Sequence, residues 1–324
     1  MIVTGGAGYI GSHACKALSE AGYSPIAVDN LSTGWSDAVK FGPLENVDLL
    51  DPVKLCQVFE EYKPHAVMHF AAFSQVGESV SNPTKYWRNN VIGSLNLFEV
   101  CANFGCDKVI FSSTCATYGE HDNVVLTEAI EQRPVNAYGA SKRAVEEILK
   151  HLSLSAGLRH VIFRYFNVAG ADPDCDVGEF HQPETHLIPL ILDAIDGKRD
   201  NITIFGTDYE TPDGTCIRDY VHVCDLVEAH VLGLMWLEKV GDSKVFNLGT
   251  GTGFSVREVI EKASIVTNRD VPIIEGKRRL GDCTKLVSGS ELVRVELGWE
   301  PRRSSLQHMI TDAWRWNQSG GYGK

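Results

Sequence analysis

Thr4-Gly5-Gly6-Ala7-Gly8-Tyr9-Ile10-Gly11 is the stretch that decides the fold. Its G-x-x-G-x-x-G spacing stands between a short apolar run, Ile2 to Thr4, and a helical pattern. Glycines there permit a tight strand-to-helix turn and let a pyrophosphate approach backbone N–H groups at a helix N-terminus, where the helix dipole favours an anion. Alone, the octet is also compatible with an ordinary glycine-rich turn. Its surroundings favour a dinucleotide. Asp29 closes the next strand candidate, Pro25 to Asp29, 18 positions past Gly11, close to the spacing of about 20 at which a carboxylate meets a ribose 2′-OH. No arginine adjoins Asp29 to receive a 2′-phosphate, so NAD is expected rather than NADP, with Asn30 a further adenosine-side contact.

Outward from the octet, apolar runs alternate with helical patterns through the first half of the chain. Ala66 to Phe70, Lys108 to Ser112 and His160 to Phe166 read as further strands, and Asn90 to Phe104 as a crossover helix with Val91, Leu95, Phe98 and Cys101 at spacings of three and four. The expected fold is α/β, a doubly wound parallel (Rossmann) sheet with a second, smaller α/β substrate domain. Val168 to Glu184 is loop-like, rich in Asp, Gly and Pro, which places the cofactor domain at 1–167 and a mainly substrate domain at 168–324, with about 216–250 re-entering the first. Helical patterns return at Leu187 to Ile195, Asp225 to Lys239, Val256 to Val266 and Leu306 to Asn317.

Composition excludes several classes. At 44% apolar and 22% charged residues, with no long apolar run, neither disorder nor a membrane span is expected. Thirty Lys+Arg against 42 Asp+Glu give a net charge of −12, the wrong sign for a nucleic-acid partner, so an anionic ligand must be held locally. Nine scattered cysteines, odd in number and without a C-x-x-C pair, read as reduced thiols in a cytoplasmic protein. Met1 to Thr4 run directly into the glycine motif, so no leader is expected.

A second constellation carries chemistry. Tyr138 and Lys142 stand four apart and so share one face of the helix opened by Tyr138-Gly139-Ala140-Ser141-Lys142. An ammonium about 6 Å from a phenol, at an effective dielectric near 20, is worth about 3 kcal/mol, enough to bring a phenol from about 10 to about 8. Such a tyrosine serves as a general base near neutral pH. Phe111-Ser112-Ser113-Thr114 precede it, with hydroxyls expected just past the C-terminal end of a strand, where open α/β sheets bind ligands.

Together these motifs resemble the extended short-chain dehydrogenase/reductases. More narrowly, His69-Phe70-Ala71-Ala72, Val76-Gly77-Glu78-Ser79, Asn89-Asn90-Val91, Arg164-Tyr165-Phe166-Asn167 and Gly214 to Val223 resemble the UDP-glucose 4-epimerases, over nearly the whole chain. The resemblance implies tightly held NAD and a net-neutral redox cycle on a UDP-sugar through a 4-keto form. Tyr138 is then the proton-transfer group, Lys142 its support, and Thr114 a hydrogen-bonding partner of the sugar O4. It further implies cofactor contacts at Gly5, Gly8, Tyr9, Ile10, Gly11, Asp29, Asn30, Asp48, Leu49, Phe70, Ala71, Ala72, Asn89, Ser112 and Phe166, besides Tyr138 and Lys142. On the substrate side it implies Asn167, His186, Leu187, Phe205, Arg218, Arg279 and Asp282, and a homodimer as the assembly. Guanidinium groups at Arg218 and Arg279 suit a diphosphate.

The sequence departs from the family pattern at Ser74, where a cofactor-reaching Lys is common, at His186, which replaces an amide, and at the gate position Leu286. Leucine there is intermediate in size, so UDP-glucose and UDP-galactose are expected first, with UDP-N-acetylglucosamine or a UDP-pentose such as xylose or arabinose as alternatives. A dehydratase would need carboxylates directly after Thr114, where Cys115 and Ala116 stand; a non-catalytic NAD-sensing regulator has no need of Tyr138 and Lys142. Asp172, Asp174 and Asp176 open like a calcium loop but lack its glycine and terminal glutamate. His181, Glu184 and His186 match no helical ligand spacing, so no metal is expected.

Overall fold

The computed structural model describes residues 1–121, 125–279 and 283–322. Its strands are β1 (Ile2–Thr4), β2 (Ile26–Asp29), β3 (Leu44–Asn46), β4 (Ala66–His69), β5 (Lys108–Thr114), β6 (Arg159–Tyr165), β7 (Asn167–Ala169), β8 (Ile202–Phe205), β9 (Ile217–His222), β10 (Lys244–Leu248), β11 (Gly253–Ser255), β12 (Ile273–Gly276) and β13 (Lys285–Leu286). Seven form one parallel sheet in the order β10-β6-β5-β4-β1-β2-β3. The order reverses at β1, which pairs with β2 on one side and β4 on the other, so the crevice for a ligand opens where the chain leaves β1 and β4.

Continuous apolar strands mark a sheet covered on both faces. Val3, Met68, Ile110 and Phe163 pack on one side with Leu18 of α1 (Tyr9–Glu20) and with Leu226 and Leu234. On the other, Val67, Val109 and Phe111 meet Leu55 and Phe59 of α2 (Pro52–Tyr62). After the short α3 (Val76–Ser81) and α4 (Pro83–Tyr86) come α5 (Gly93–Asn103) and α6 (Ala137–Ala156), which pack on that same face through Leu97, Phe98, Val145 and Leu149. The α/β doubly wound class is therefore the observed one.

Past β7 the chain builds a second core from α7 (Leu187–Ile195), β8, α9 (Val256–Thr267) and α11 (Leu306–Ser319), with α8 (Val223–Lys239) and β10 returning to the main sheet between them. A short helix, α10 (Glu291–Leu297), precedes α11. β9 joins β7, β11 and β13 in a small sheet, and β8 pairs with β12.

Two local expectations are corrected. β5 continues to Thr114, so Ser112 and Ser113 lie within the strand rather than beyond it. The crossover expected from Asn90 begins as a π-turn over Trp87–Ile92 before α5 proper. No helix among the described residues is long and apolar enough to cross a membrane.

Candidate active site

Gly5 adopts φ +71°, and a Cβ on Gly11 would lie 2.0 Å from the Gly5 carbonyl oxygen, so the turn tolerates no side chain at either place. It draws the ends of β1 and β4 together, with Ala71 N–H donating to Thr4 O at 3.1 Å. Gly8 caps α1 without any side-chain acceptor, and the first turn holds no acidic residue. Tyr9 and Ile10 thus begin a helix whose N-terminus suits an anion.

Asp29 ends β2 with Oδ2 accepting Ala7 N–H (3.1 Å) and Oδ1 accepting Leu31 N–H (2.8 Å). Burial raises its pKa and those two donors oppose the rise. Asn30 donates to Asp48 Oδ2 at 2.9 Å, and Asp48 Oδ1 holds Leu50 N–H at 2.8 Å. Asn30 and Asp48 are thereby tied together beyond the ends of β2 and β3, and Phe70, Ala71 and Ala72 follow directly on β4. Ser74 is exposed.

The catalytic candidates meet where β5 ends beside α6. Asn136 caps α6, its Oδ1 accepting Gly139 N–H at 2.9 Å; Tyr138 and Lys142 are buried, 9% and 4% exposed. Lys142 Nζ donates to Ser112 O at 2.7 Å and lies 4.9 Å from the Phe111 ring centroid. Ser112 Oγ hydrogen-bonds the Tyr165 hydroxyl, and Thr114 Oγ1 accepts Ala116 N–H at 3.1 Å.

The expected lowering of the phenol is overturned in this structure. Burial pushes Tyr138 well above its ordinary value, and a hydrogen bond to Thr114 offsets only part of the rise. Burial likewise pushes Lys142 down to about 7, against a weak pull from Glu146. The Coulomb expectation assumed a full ammonium in a half-polar medium. Desolvation acts on both groups at once and wins, because Glu146 is committed elsewhere: it pairs with Arg164 at 2.6 Å and accepts from Ser113 Oγ at 2.5 Å.

Asn90 was not singled out from the sequence, although it stands in the quoted Asn89-Asn90-Val91 string. It is buried in the π-turn, donating to Phe73 O (3.0 Å) and Ser141 Oγ (3.1 Å) and accepting Phe73 N–H (2.9 Å). It ties the loop after β4 to the tyrosine helix, while Asn89, half-buried, donates to Asn90 Oδ1. A paired amide at a helical break is the signal that could have found it.

On the substrate side, Phe166 and Leu286 pack in one apolar cluster with Tyr118 and Leu126, and Leu286 is in register with Arg218 of β9. Arg218 donates to Ile217 O and Cys283 O at 2.9 and 2.8 Å. Its neighbour Asp219, missed from the sequence, is fully buried and accepts from Thr250, Gly251 and Ser288, fixing the loops around the arginine. Phe205 is 40% exposed, with the Arg279 guanidinium 4.9 Å from its ring centroid. Asn167 is exposed at the start of β7. Asp282 lies outside the described residues.

His186 and Leu187 open α7, but the His186 imidazole turns toward carboxylates. Its Nδ1 lies 2.8 Å from Glu179 Oε1 and 2.9 Å from Glu184 Oε1. Burial pulls its pKa down and those carboxylates outweigh it, holding the ring at about 10. The Asp172, Asp174 and Asp176 carboxylates converge on Lys16 Nζ at 2.8, 3.2 and 2.9 Å, so a lysine occupies the place a calcium loop gives to its ion. Burial raises the Cys115 thiol to about 12, which makes it no nucleophile.

Residues 1–249 match the NAD dependent epimerase/dehydratase family. A UDP-glucose 4-epimerase of Rhizobium meliloti is 47% identical over 323 residues, spanning 100% of this chain and 98% of that protein. The crystal structure of the Brucella ovis UDP-glucose 4-epimerase in complex with NAD is 46% identical, covers 97% of both chains and superposes with a TM-score of 0.95. The UDP-Glc/GlcNAc 4-epimerase of Campylobacter jejuni is 40% identical over 98% of both chains, with a TM-score of 0.86. The chain belongs to the NAD dependent epimerase/dehydratase family.

Proposed function

We propose that this enzyme interconverts UDP-glucose and UDP-galactose at C4, with NAD held between the ends of β1 and β4. The observation that carries the reading is the buried Tyr138 and Lys142 pair beside Thr114 at the end of β5, in a chain that matches UDP-glucose 4-epimerases over its full length. The side-chain-free cradle at Gly5 and Gly11, the uncapped start of α1 and the Asp29 carboxylate fit a dinucleotide. NAD held there would supply a reversible hydride acceptor for the sugar C4.

The remaining work falls to the chain. Tyr138 Oη takes the proton of the sugar 4-OH and returns it, while the Thr114 hydroxyl holds O4 in line. Burial opposes both the phenolate and the ammonium, so Tyr138 serves as the base only with cationic neighbours at hand, which Lys142 in its ammonium form and the positive charge that a bound NAD⁺ would bring supply. Lys142 stays directed by the Ser112 carbonyl. Arg218 and Arg279 receive the diphosphate, Phe205 stacks on the uracil and Asp282 meets the uridine ribose. Firm anchoring of UDP leaves the hexose free to present either face after oxidation.

Residues 1–167 serve the cofactor and 168–324 mainly the substrate, in a cytoplasmic homodimer. Exposed apolar side chains at Ile92, the end of the π-turn, and at Leu154 of α6, 48% and 88% exposed, support that assembly. The intermediate size of Leu286 is compatible with the N-acetylated pair as a second substrate, and the Campylobacter jejuni relative is a UDP-Glc/GlcNAc 4-epimerase.

The test is to isolate the protein without added cofactor, assay bound NAD, and offer UDP-glucose, UDP-N-acetylglucosamine and UDP-xylose in parallel. Bound NAD with UDP-galactose as the fastest product supports the reading. An NAD-loaded protein that leaves UDP-glucose unchanged overturns it. Replacing the gate by Leu286→Tyr is expected to lower N-acetylhexosamine turnover about tenfold relative to hexose turnover, since one misfitting group in a pocket is worth about 1–3 kcal/mol.

A further inference from the structure

Four ligating side chains gather in residues 179–186, outside the tyrosine pocket. One donor atom each from Glu179, His181, Glu184 and His186 lies within 4.8 Å of the others. Four of the contacts among them are 2.8 Å (His186 Nδ1 to Glu179 Oε1), 2.9 Å (His186 Nδ1 to Glu184 Oε1), 3.3 Å (His181 Nδ1 to Glu179 Oε1) and 3.4 Å (His181 Nδ1 to Glu184 Oε2). Four bonds of about 2.0–2.2 Å to a tetrahedral zinc put neighbouring donors about 3.3–3.6 Å apart.

Hydrogen bonding accounts for only part of this packing. His186 Nδ1 gives its one hydrogen to Glu184 Oε1, yet Glu179 Oε1 lies as close, at 2.8 Å. His181 Nδ1 is sealed from solvent and makes no hydrogen bond, although it also sits between two carboxylates. The side chains of Glu179 and Glu184 are only 7% and 12% exposed, so their charge needs a counterion close at hand. In the nearby aspartate trio Lys16 is that counterion; here only the two imidazole rings face the carboxylates, and a divalent cation set among the same four donors would take over the charge that ring protons otherwise supply.

We propose that Glu179, His181, Glu184 and His186 bind one divalent transition-metal ion, of which an N2O2 tetrahedral set favours zinc. Bound through Nδ1, His186 keeps its hydrogen on Nε2, so α7 opens with a fixed donor whose state no longer follows pH. The ion also pins the 170–186 segment to α1, where the Tyr9 hydroxyl donates to Gly170 O at 2.6 Å and the Tyr9 ring meets His181 edge-on.

The test uses the full-length protein, stripped with a chelator and titrated with Co²⁺. One equivalent giving the intense visible absorption of a four-coordinate site, displaced by one equivalent of Zn²⁺ and accompanied by a rise in Tm, is the expected result. His181→Gln and Glu184→Gln are expected to abolish the band, and Asp174→Asn, in the trio filled by Lys16, to leave it unchanged. A weak octahedral spectrum with zinc retained below about a tenth of an equivalent overturns the proposal, as does a band that survives both His181→Gln and Glu184→Gln. Because the readout is metal and not turnover, failure leaves the epimerase reading intact.

Discussion

Lys16 and Lys142 are the two buried lysines among the described residues, at 9% and 4% exposure, and burial penalises the ammonium of each. Their outcomes are opposite. Lys16 faces Asp172, Asp174 and Asp176, and the three carboxylates carry its pKa above the ordinary lysine value despite burial. Lys142 faces a carbonyl and an aromatic ring, with its nearest carboxylate already bound to Arg164, and falls to about 7. Desolvation alone does not set a buried lysine's charge; the supply of uncommitted carboxylates does. One lysine is a permanent cation that joins α1 to the 170–186 segment. The other can gain or lose a proton, as a partner of Tyr138 must.

The largest expected effect separates the two by turnover. Lys142→Met and Tyr138→Phe are each expected to lower kcat by about 10²–10⁴, the usual worth of a positioned proton-transfer group, with UDP-sugar binding retained by calorimetry. Lys16→Met, assayed well below its melting temperature, is expected to stay within a few-fold of the wild type. Equal losses at both lysines would break the comparison.

Stability is expected to rank them the other way. Lys16→Met leaves the Asp172 carboxylate buried without its partner, a change that costs about 3–5 kcal/mol when a buried pair is broken. Lys142→Met removes a buried amine that has no free carboxylate partner, at the loss of its hydrogen bond to Ser112 O. Since the folded pKa of Lys142 lies below its unfolded value of 10.5, the unfolded chain binds the extra proton between about pH 7 and 10, and wild-type stability contributed by this site rises with pH across that window. Lys142→Met is therefore expected to stabilise most at about pH 6, on the order of 2–3 kcal/mol, and not at all by about pH 10.5. Lys16, held above 10.5, adds no slope there. Urea unfolding at three pH values measures both; a flat difference for Lys142→Met would show that its amine is already paired.

The sequence made half of this contrast legible. The glycine turn, Asp29 and the Tyr138/Lys142 spacing are local patterns, and local patterns dictate a turn, a strand end and a helix face, so the cofactor crevice followed from them. What escaped depended on distant segments. Lys16 and Asp172 are 156 positions apart, and nothing in α1's own periodicity says that three aspartates will close over it. The Tyr138 expectation failed for the same reason: Coulomb's law applied to two residues uses only their spacing, whereas desolvation is set by β5, α6 and the π-turn that carries Asn90 together. Short edge elements such as β3 and β13 carry too few residues for a period to emerge.

The smallest expected effect lies inside the aspartate trio and asks whether the number of carboxylates or their burial holds Lys16 charged. The three contacts are similar in length, yet the side chains of Asp172, Asp176 and Asp174 are 5%, 44% and 80% exposed. A contact through solvent-like dielectric is worth about 1 kcal/mol at 4 Å before the entropy of holding the side chain is subtracted. Asp174→Asn should therefore cost less than about 1 kcal/mol and become neutral in high salt. Asp172→Asn should cost several times more, because Asp172 Oδ2 also accepts Asp176 N–H at 3.0 Å and has no water to replace what it loses. Denaturant titration of both variants in low and high salt measures the gap. If Asp174→Asn costs as much as Asp172→Asn, the trio acts as one cooperative charge, and Lys16 differs from Lys142 by the count of its carboxylates rather than by their removal from water.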